Sequence, residues 1–373
     1  MGSSPTRPTN FGTTQKKKRR DVSKSYYKTS RCFDDVLLVP QYSEVETRSS
    51  IILDQALFFT ADQPAAGLPT MQIPIISSPM DTVTGAEMAA AMDKSGGLGI
   101  IHRYCSVETQ AKMVASATNR GTALVGAAVG VSGDFIDRAC AAYDAGARVI
   151  CVDIAHGHHV LMRRALEEFR KIFESSVHLM AGNVATLEAF NDLADWGADS
   201  VRVGIGGGSI CSTRIQTGHG IPTLQSVMMC AQSDRDALIV ADGGIRNSGD
   251  IVKSLAAGAD FVMLGSLLAG TPETPGEVVY KDGNPFKTYR GMASIEAQID
   301  WRGHVASIEG VSSAISCKGS VKGVLATLTQ GIKSGLSYTG CEDLKTFRSK
   351  SKFTLVTAPG VSEGHTHIFT ICD

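Results

Sequence analysis

Eight short apolar runs spread over residues 73–264 constrain the fold of this chain more than any other feature. They are Ile73 to Ser77, Gly97 to Ile101, Ala123 to Val129, Val149 to Val152, His178 to Ala181, Ser200 to Val203, Leu238 to Ala241 and Phe261 to Leu264. As a set they are rich in Val and Ile and bounded by Gly, Asp, Asn or Ser, which marks them as strands. Stretches between them, such as Asp134 to Ala145, Val160 to Phe173 and Ser248 to Ala257, carry apolar residues at helical spacing. Strands that read as continuous apolar runs are parallel strands covered by helices. Eight strand–helix units predict an α/β chain folded as a closed (β/α)₈ TIM barrel. A doubly wound open sheet is the alternative that the pattern leaves open.

Composition narrows the setting. The chain has 373 residues, 43% of them hydrophobic, enough to bury a large core in one or two domains. We expect a polar, basic, disordered N-terminal tail over residues 1–30, with five consecutive cations from Lys16 to Arg20. That tail is either a solvated segment or one that addresses the nucleus or a polyanion. Residues 31–373 then form one catalytic barrel domain with a flap at about 286–318. A net charge of −1 gives no global attraction to nucleic acid or an anionic membrane. Nine cysteines lie scattered with no CxxC pair, which fits reduced thiols in a cytoplasmic protein. No apolar run is long enough to span a bilayer, and no secretory pattern opens the chain.

Barrel enzymes place their chemistry just beyond the strands. Here those positions read Ser78 to Asp81, His102-Arg103, Gly130, Asp153 to His156, Gly182-Asn183, Gly204 to Cys211, Asp242 to Gly244 and Gly265-Ser266. Such a ring suits a ribose phosphate, because Asp accepts from ribose hydroxyls and the amides of Gly244, Gly265 and Ser266 can cradle an anion. The sixth segment continues from Gly204 to Leu224 and joins a glycine-rich turn to a single cysteine, Cys211, with Thr213 and Arg214 just after it. A cysteine is a nucleophile where its thiolate is stabilised, so covalent catalysis on a phosphorylated substrate is expected. Cap, turn and packing roles are the ordinary alternatives for each residue taken singly.

The motifs FDDVLLVP (33–40), ISSPMDTVT (76–84), GGLGIIHR (96–103), VDIAHGH (152–158), AGNVAT (181–186), GIGGGSICSTR (204–214), ADGGIR (241–246), FVMLGS (261–266) and YRGMAS (289–294) occur in this order. With them the chain resembles the IMP dehydrogenase and GMP reductase family from about Cys32 to Ile368. The resemblance implies that Cys211 adds to C2 of a purine ring to form a thioimidate, with hydride exchange to a nicotinamide. It implies nucleotide contacts at Ser78, Ser209, Asp242, Gly244, Gly265, Ser266, Tyr289, Gly291 and Met292, and cofactor contacts at Asp153 and Asn183. It also implies that Thr213 and Glu309 handle protons around a departing ammonia. Carbonyls of Gly206, Gly208 and Cys211, completed by Glu363-Gly-His365 of a neighbouring subunit in a homotetramer, would hold potassium.

Three departures bear on direction. The regulatory insertion common in dehydrogenases is missing after His102. Between Met292 and Glu309 the flap is short and lacks an Arg-Tyr pair, with Arg302 beside Trp301 as the nearest substitute. VDIAHGHH, FDDVLLVP and the C-terminal segment resemble the dehydrogenase versions. We weigh the flap most and expect an NADP(H)-dependent reductase that converts GMP to IMP. NAD-dependent oxidation of IMP to XMP is the alternative reaction, and a non-catalytic nucleotide sensor the alternative class. No dinucleotide fingerprint separates the two cofactors.

Overall fold

A computed structural model describes residues 29–57, 70–306 and 308–364. The chain divides into two units, Met1–Ser30 and Arg31–Asp373. The expected tail, apart from Thr29 and Ser30, lies outside the described residues.

The second unit begins with β1 (Val36–Leu38) and then lays down β2 (Ile75–Ser77), β3 (Leu98–Ile101), β4 (Val125–Val129), β5 (Val149–Asp153), β6 (His178–Val184), β7 (Ser200–Val203), β8 (Leu238–Asp242) and β9 (Phe261–Leu264). These last eight pair in parallel, and β9 pairs back on β2, so the sheet closes and the open alternative is excluded. Each of the eight expected runs is a barrel strand. Three continue past the apolar stretch, to Asp153, Val184 and Asp242, and the ladder pairs Asp153 with Gly182 and Asp242 with Met263. Two acidic side chains are thereby held by sheet rather than by loop.

Helices α1 (Ala86–Lys94), α2 (Val107–Asn119), α3 (Phe135–Asp144), α4 (Val160–Phe173), α5 (Leu187–Asp195), α6 (Thr213–Thr217), α7 (Thr223–Cys230) and α8 (Ser248–Ala256) connect successive barrel strands, with α6 and α7 both between β7 and β8. In α4, Met162, Ala165, Leu166, Phe169 and Phe173 are buried, which is one helical face. Burying a side chain such as Phe169 is worth roughly 1.5–3 kcal/mol. Polar caps start several helices: the side chains of Ser106, Thr186 and Asn247 each accept from an amide three residues on.

Strand residues alternate between two cores. Ile76, Ile100, Ala128, Cys151, Met180, Val240 and Met263 belong to an inner cluster, whereas Ile75, Ile101, Ile150, Leu179, Val201, Val203 and Val262 pack with the helices. Leu57 and Met71 join the inner cluster and cover one end of it. The other end carries the polar strand termini.

Beyond β9 the chain forms a three-stranded antiparallel finger, β10 (Val279–Lys281), β11 (Asn284–Arg290) and β12 (Ser312–Ser316). Helix α9 (Ile295–Arg302) lies between the last two strands in sequence. The chain continues through α10 (Val321–Ser337) and α11 (Leu344–Lys350) to β13 (Phe353–Leu355), which pairs with β1, and to α12 (Ala358–Glu363). The expected flap spans β11, α9 and β12.

Candidate active site

The polar end of the barrel opens into a cavity of about 280 Å³. Cys211, Thr213 and Glu309 line it together with Ser78, Ser209, Asp242, Gly244, Gly265, Ser266, Tyr289, Gly291 and Met292. Asp153, Asn183, Gly206 and Gly208 line it as well, so the residues named from sequence converge on one cavity apart from the C-terminal segment tied to potassium.

The cysteine loop is tied to the flap by backbone. Ser212 N–H donates to Glu309 O at 2.9 Å, Val311 N–H to Ile210 O at 3.0 Å, and Cys211 forms an isolated antiparallel bridge with Gly310. This pairing places the side chains. The Cys211 thiol donates to Thr213 Oγ1 at 3.2 Å, and the Thr213 hydroxyl donates to Glu309 Oε2 at 2.7 Å. A half-buried thiol is thus connected through one hydroxyl to one carboxylate, an arrangement that can pass a proton to or from a group bound at the sulfur.

Glycine is required where this loop starts. Gly204 has φ +143°, and a Cβ there would stand 2.0 Å from Asp242 O. Across the cavity, the Tyr289 phenol shares the lining with the Ser209 and Ser266 hydroxyls. Burial pushes the Tyr289 phenol above its ordinary pKa although the two serine hydroxyls pull it down, so it remains neutral. At Gly265 a Cβ would approach Tyr289 Oη to 3.0 Å and Met80 Sδ to 3.2 Å. Three hydroxyls and a glycine backbone without side chains form a donor set of the kind that can hold an anion.

The third group is a buried charge network. Arg202, on the inner face of β7 and 6% exposed, donates to Asp153 Oδ1 at 2.6 Å and to Asp242 Oδ2 at 2.9 Å. Asn183 Nδ2 donates to the same Asp242 oxygen and to Gly204 O, both at 2.8 Å. Arg103 adds a bond from Nη2 to Asp153 O at 3.2 Å and an ion contact from Nε to Asp153 Oδ2 at 3.6 Å. Burial alone would raise the Asp153 carboxyl, but Arg202 and Arg103 outweigh it and hold the pKa below the ordinary value. Burial likewise opposes the Arg202 charge, and the surrounding acidic groups nonetheless hold its pKa well above normal. Both groups are therefore charged at neutral pH.

Arg202 was not singled out from sequence, although one charged residue inside the run Ser200 to Val203 was a usable signal. Tyr104 was missed as well. It lines the cavity two residues past His102, and its ring stacks on Trp301 of α9 at 4.4 Å between centroids. The Arg302 guanidinium lies 4.5 Å over the Trp301 ring. Trp301 therefore packs on a residue of the cavity wall. Arg290 fastens the base of the flap, donating to Asp81 Oδ2 at 2.6 and 3.0 Å and to Asp300 Oδ2 at 2.6 Å. Of the segment tied to potassium, Glu363 ends α12 and His365 lies outside the described residues. Gly208 O accepts from Cys211 N–H at 3.1 Å, leaving that carbonyl one lone pair for a cation.

A closed parallel barrel thus carries a cysteine, a hydroxyl–carboxylate pair and a group of hydroxyls at one mouth, where barrel enzymes place their chemistry. The family model described as "IMP dehydrogenase / GMP reductase domain" matches residues 30–367. The chain belongs to this family, and is a purine nucleotide oxidoreductase of that type. Family members use NAD(P). The chain is 36% identical to the inosine-5'-monophosphate dehydrogenase of Cryptosporidium parvum, covering 90% of this chain and 94% of that one. It is 30% identical to the GMP reductase of Leishmania major, covering 90% and 96%. The crystal structure of a cysteine-to-alanine variant of the GMP reductase from Trypanosoma brucei, in complex with guanosine 5'-monophosphate, superposes with a TM-score of 0.85 at 29% identity over 92% of this chain and 99% of that one.

Proposed function

We propose that this protein is a GMP reductase that releases ammonia from C2 of the purine through an adduct on Cys211. The supporting observation is the contiguous line from Cys211 Sγ to Thr213 Oγ1 to Glu309 Oε2, at 3.2 and 2.7 Å. When sulfur adds to C2 and the 2-amino group leaves, an S–C bond forms, a C–N bond breaks and nitrogen needs a proton. Thr213 carries the thiol proton to Glu309 as the S–C bond forms and returns it to nitrogen as the C–N bond breaks, because a hydroxyl both donates and accepts. The Ser209, Ser266 and Tyr289 hydroxyls hold the 5'-phosphate, and Asp242, fixed by Arg202 and Asn183, accepts from the ribose hydroxyls. Asp153 and Asn183 face the dinucleotide, and the donor set fits a neutral ring with an attached ribose. A bound reduced nicotinamide supplies the hydride that replaces sulfur at C2. The short flap, which leaves little chain for activating water, supports the same direction, with NADPH as the reductant.

The placement of Arg302 and Tyr104 against the same Trp301 ring favours a second reading. A guanidinium with a phenol is the pairing that the flap sequence lacks, and here the two share one indole. On that reading water, not ammonia, is exchanged at C2 and IMP is oxidised to XMP with NAD. The test is purified protein with GMP and NADPH against IMP and NAD, following absorbance of the reduced cofactor. Turnover only with IMP and NAD refutes the reductase. Nucleotide binding with no turnover in either direction makes the chain a sensor. Potassium at the Gly206, Gly208 and Cys211 carbonyls belongs to the same proposal, and activity that is unchanged when potassium is replaced by an organic cation removes it.

A further inference from the structure

The aromatic stack at the cavity mouth is continuous with the buried charge network. Trp301 stacks on Tyr104 with rings 4.4 Å apart and tilted by 31°. The Arg103 guanidinium carbon lies 5.4 Å from the centroid of each of these two rings. On its other side Arg103 contacts Asp153 through both the backbone oxygen and the carboxylate. Arg103 is therefore held between two aromatic faces and the acid assigned to the dinucleotide. Its Nε proton is buried and makes no hydrogen bond of ordinary length, so the aromatic faces carry much of the restraint on its position.

We propose that Trp301 is a positioning residue for the dinucleotide half of the site: by stacking on Tyr104 and confining Arg103, it holds the Arg103–Asp153 contact, so that docking of α9 and assembly of that half are one event. This rests on the assignment of Asp153 to the dinucleotide made above. From Trp301 this route reaches Asp153 first, and it reaches the nucleotide acid Asp242 only one step further on, through Arg202, where Asn183 holds that carboxylate independently. The prediction is accordingly asymmetric. Losing the indole weakens dinucleotide binding and spares nucleotide binding.

The experiment compares Trp301→Ala, Trp301→Phe and Tyr104→Leu in the full chain. For Trp301→Ala the dinucleotide KM rises about tenfold, equivalent to about 1.4 kcal/mol, while the nucleotide KM stays within twofold. Trp301→Phe keeps a planar partner and returns the dinucleotide KM to within about threefold of the parent, as expected for stacking and cation–π contacts of this size. Equal loss for both ligands, or no rescue by Phe, overturns the proposal. A second readout does not need turnover. In a Trp196→Phe background Trp301 is the one remaining indole, and Tyr104→Leu must change its emission and weaken dinucleotide binding in direct titration. If emission changes and binding does not, the stack exists but positions nothing, and the proposal fails. If no substrate pair turns over but binding shows the asymmetry, the functional reading fails and the positioning role stands.

Discussion

Replacing Arg202 with Met tests whether the charge network, rather than packing, holds the two strand-terminal carboxylates. The side chains of Asp153 and Asp242 are 19% and 14% exposed, and both lean on the same guanidinium. Met fills similar volume but leaves two carboxylates without their main cation. Breaking a buried pair from one side costs about 3–5 kcal/mol, a large share of the 5–15 kcal/mol typical of a whole fold. For a chain of this size that lowers Tm by about 4–7 °C. The pH dependence is more specific. In the parent, Asp153 has a depressed pKa, so its contribution is fully present above the unfolded value of about 3.9 and is lost as pH falls through the folded value. In the variant, burial acts with only Arg103 to oppose it, the Asp153 pKa rises, and protonation relieves the penalty. The Tm difference is therefore largest near pH 7.5 and shrinks toward about pH 5. Thermal unfolding of both proteins across that range is the assay. A difference below 1 °C, or one that does not change with pH, refutes the reasoning.

Cys211→Ala abolishes turnover while nucleotide affinity, read by calorimetry, stays within about tenfold, or about 1.4 kcal/mol; a joint loss of binding and fold contradicts the role assigned to the thiol. Glu309→Gln breaks the proton relay and lowers kcat by about 10²–10⁴-fold, and Thr213→Val does the same with little change in nucleotide KM; near-normal kcat in both variants excludes the relay. Gly204→Ala forces the loop away from Asp242, so soluble protein with intact secondary structure by circular dichroism but at least about tenfold weaker nucleotide binding is expected. Parent-like affinity would show that this backbone approach is dispensable.

Much of the site was legible because its residues sit where local patterns end. A parallel strand announces itself by an unbroken apolar run, and the first polar residue after it marks the barrel mouth, which is how Asp153, Asn183 and Asp242 were found. What the pattern concealed was any polar residue inside a run. Arg202 lies between Val201 and Val203, and those neighbours point outward while it points in. Tyr104 gave no signal either, because its significance depends on Trp301, a residue of another element.

Periodicity of apolar residues pointed to the barrel, with an open sheet as the alternative, and the order of the strand-end motifs carried the resemblance to the family, since each is a local property of neighbouring residues. Closure of β9 onto β2 decided which side chains meet. Thr213 reaches Glu309 across 96 positions, and Arg202 bridges acids 49 and 40 positions away. Such contacts depend on distances through space, which a linear order of residues does not contain.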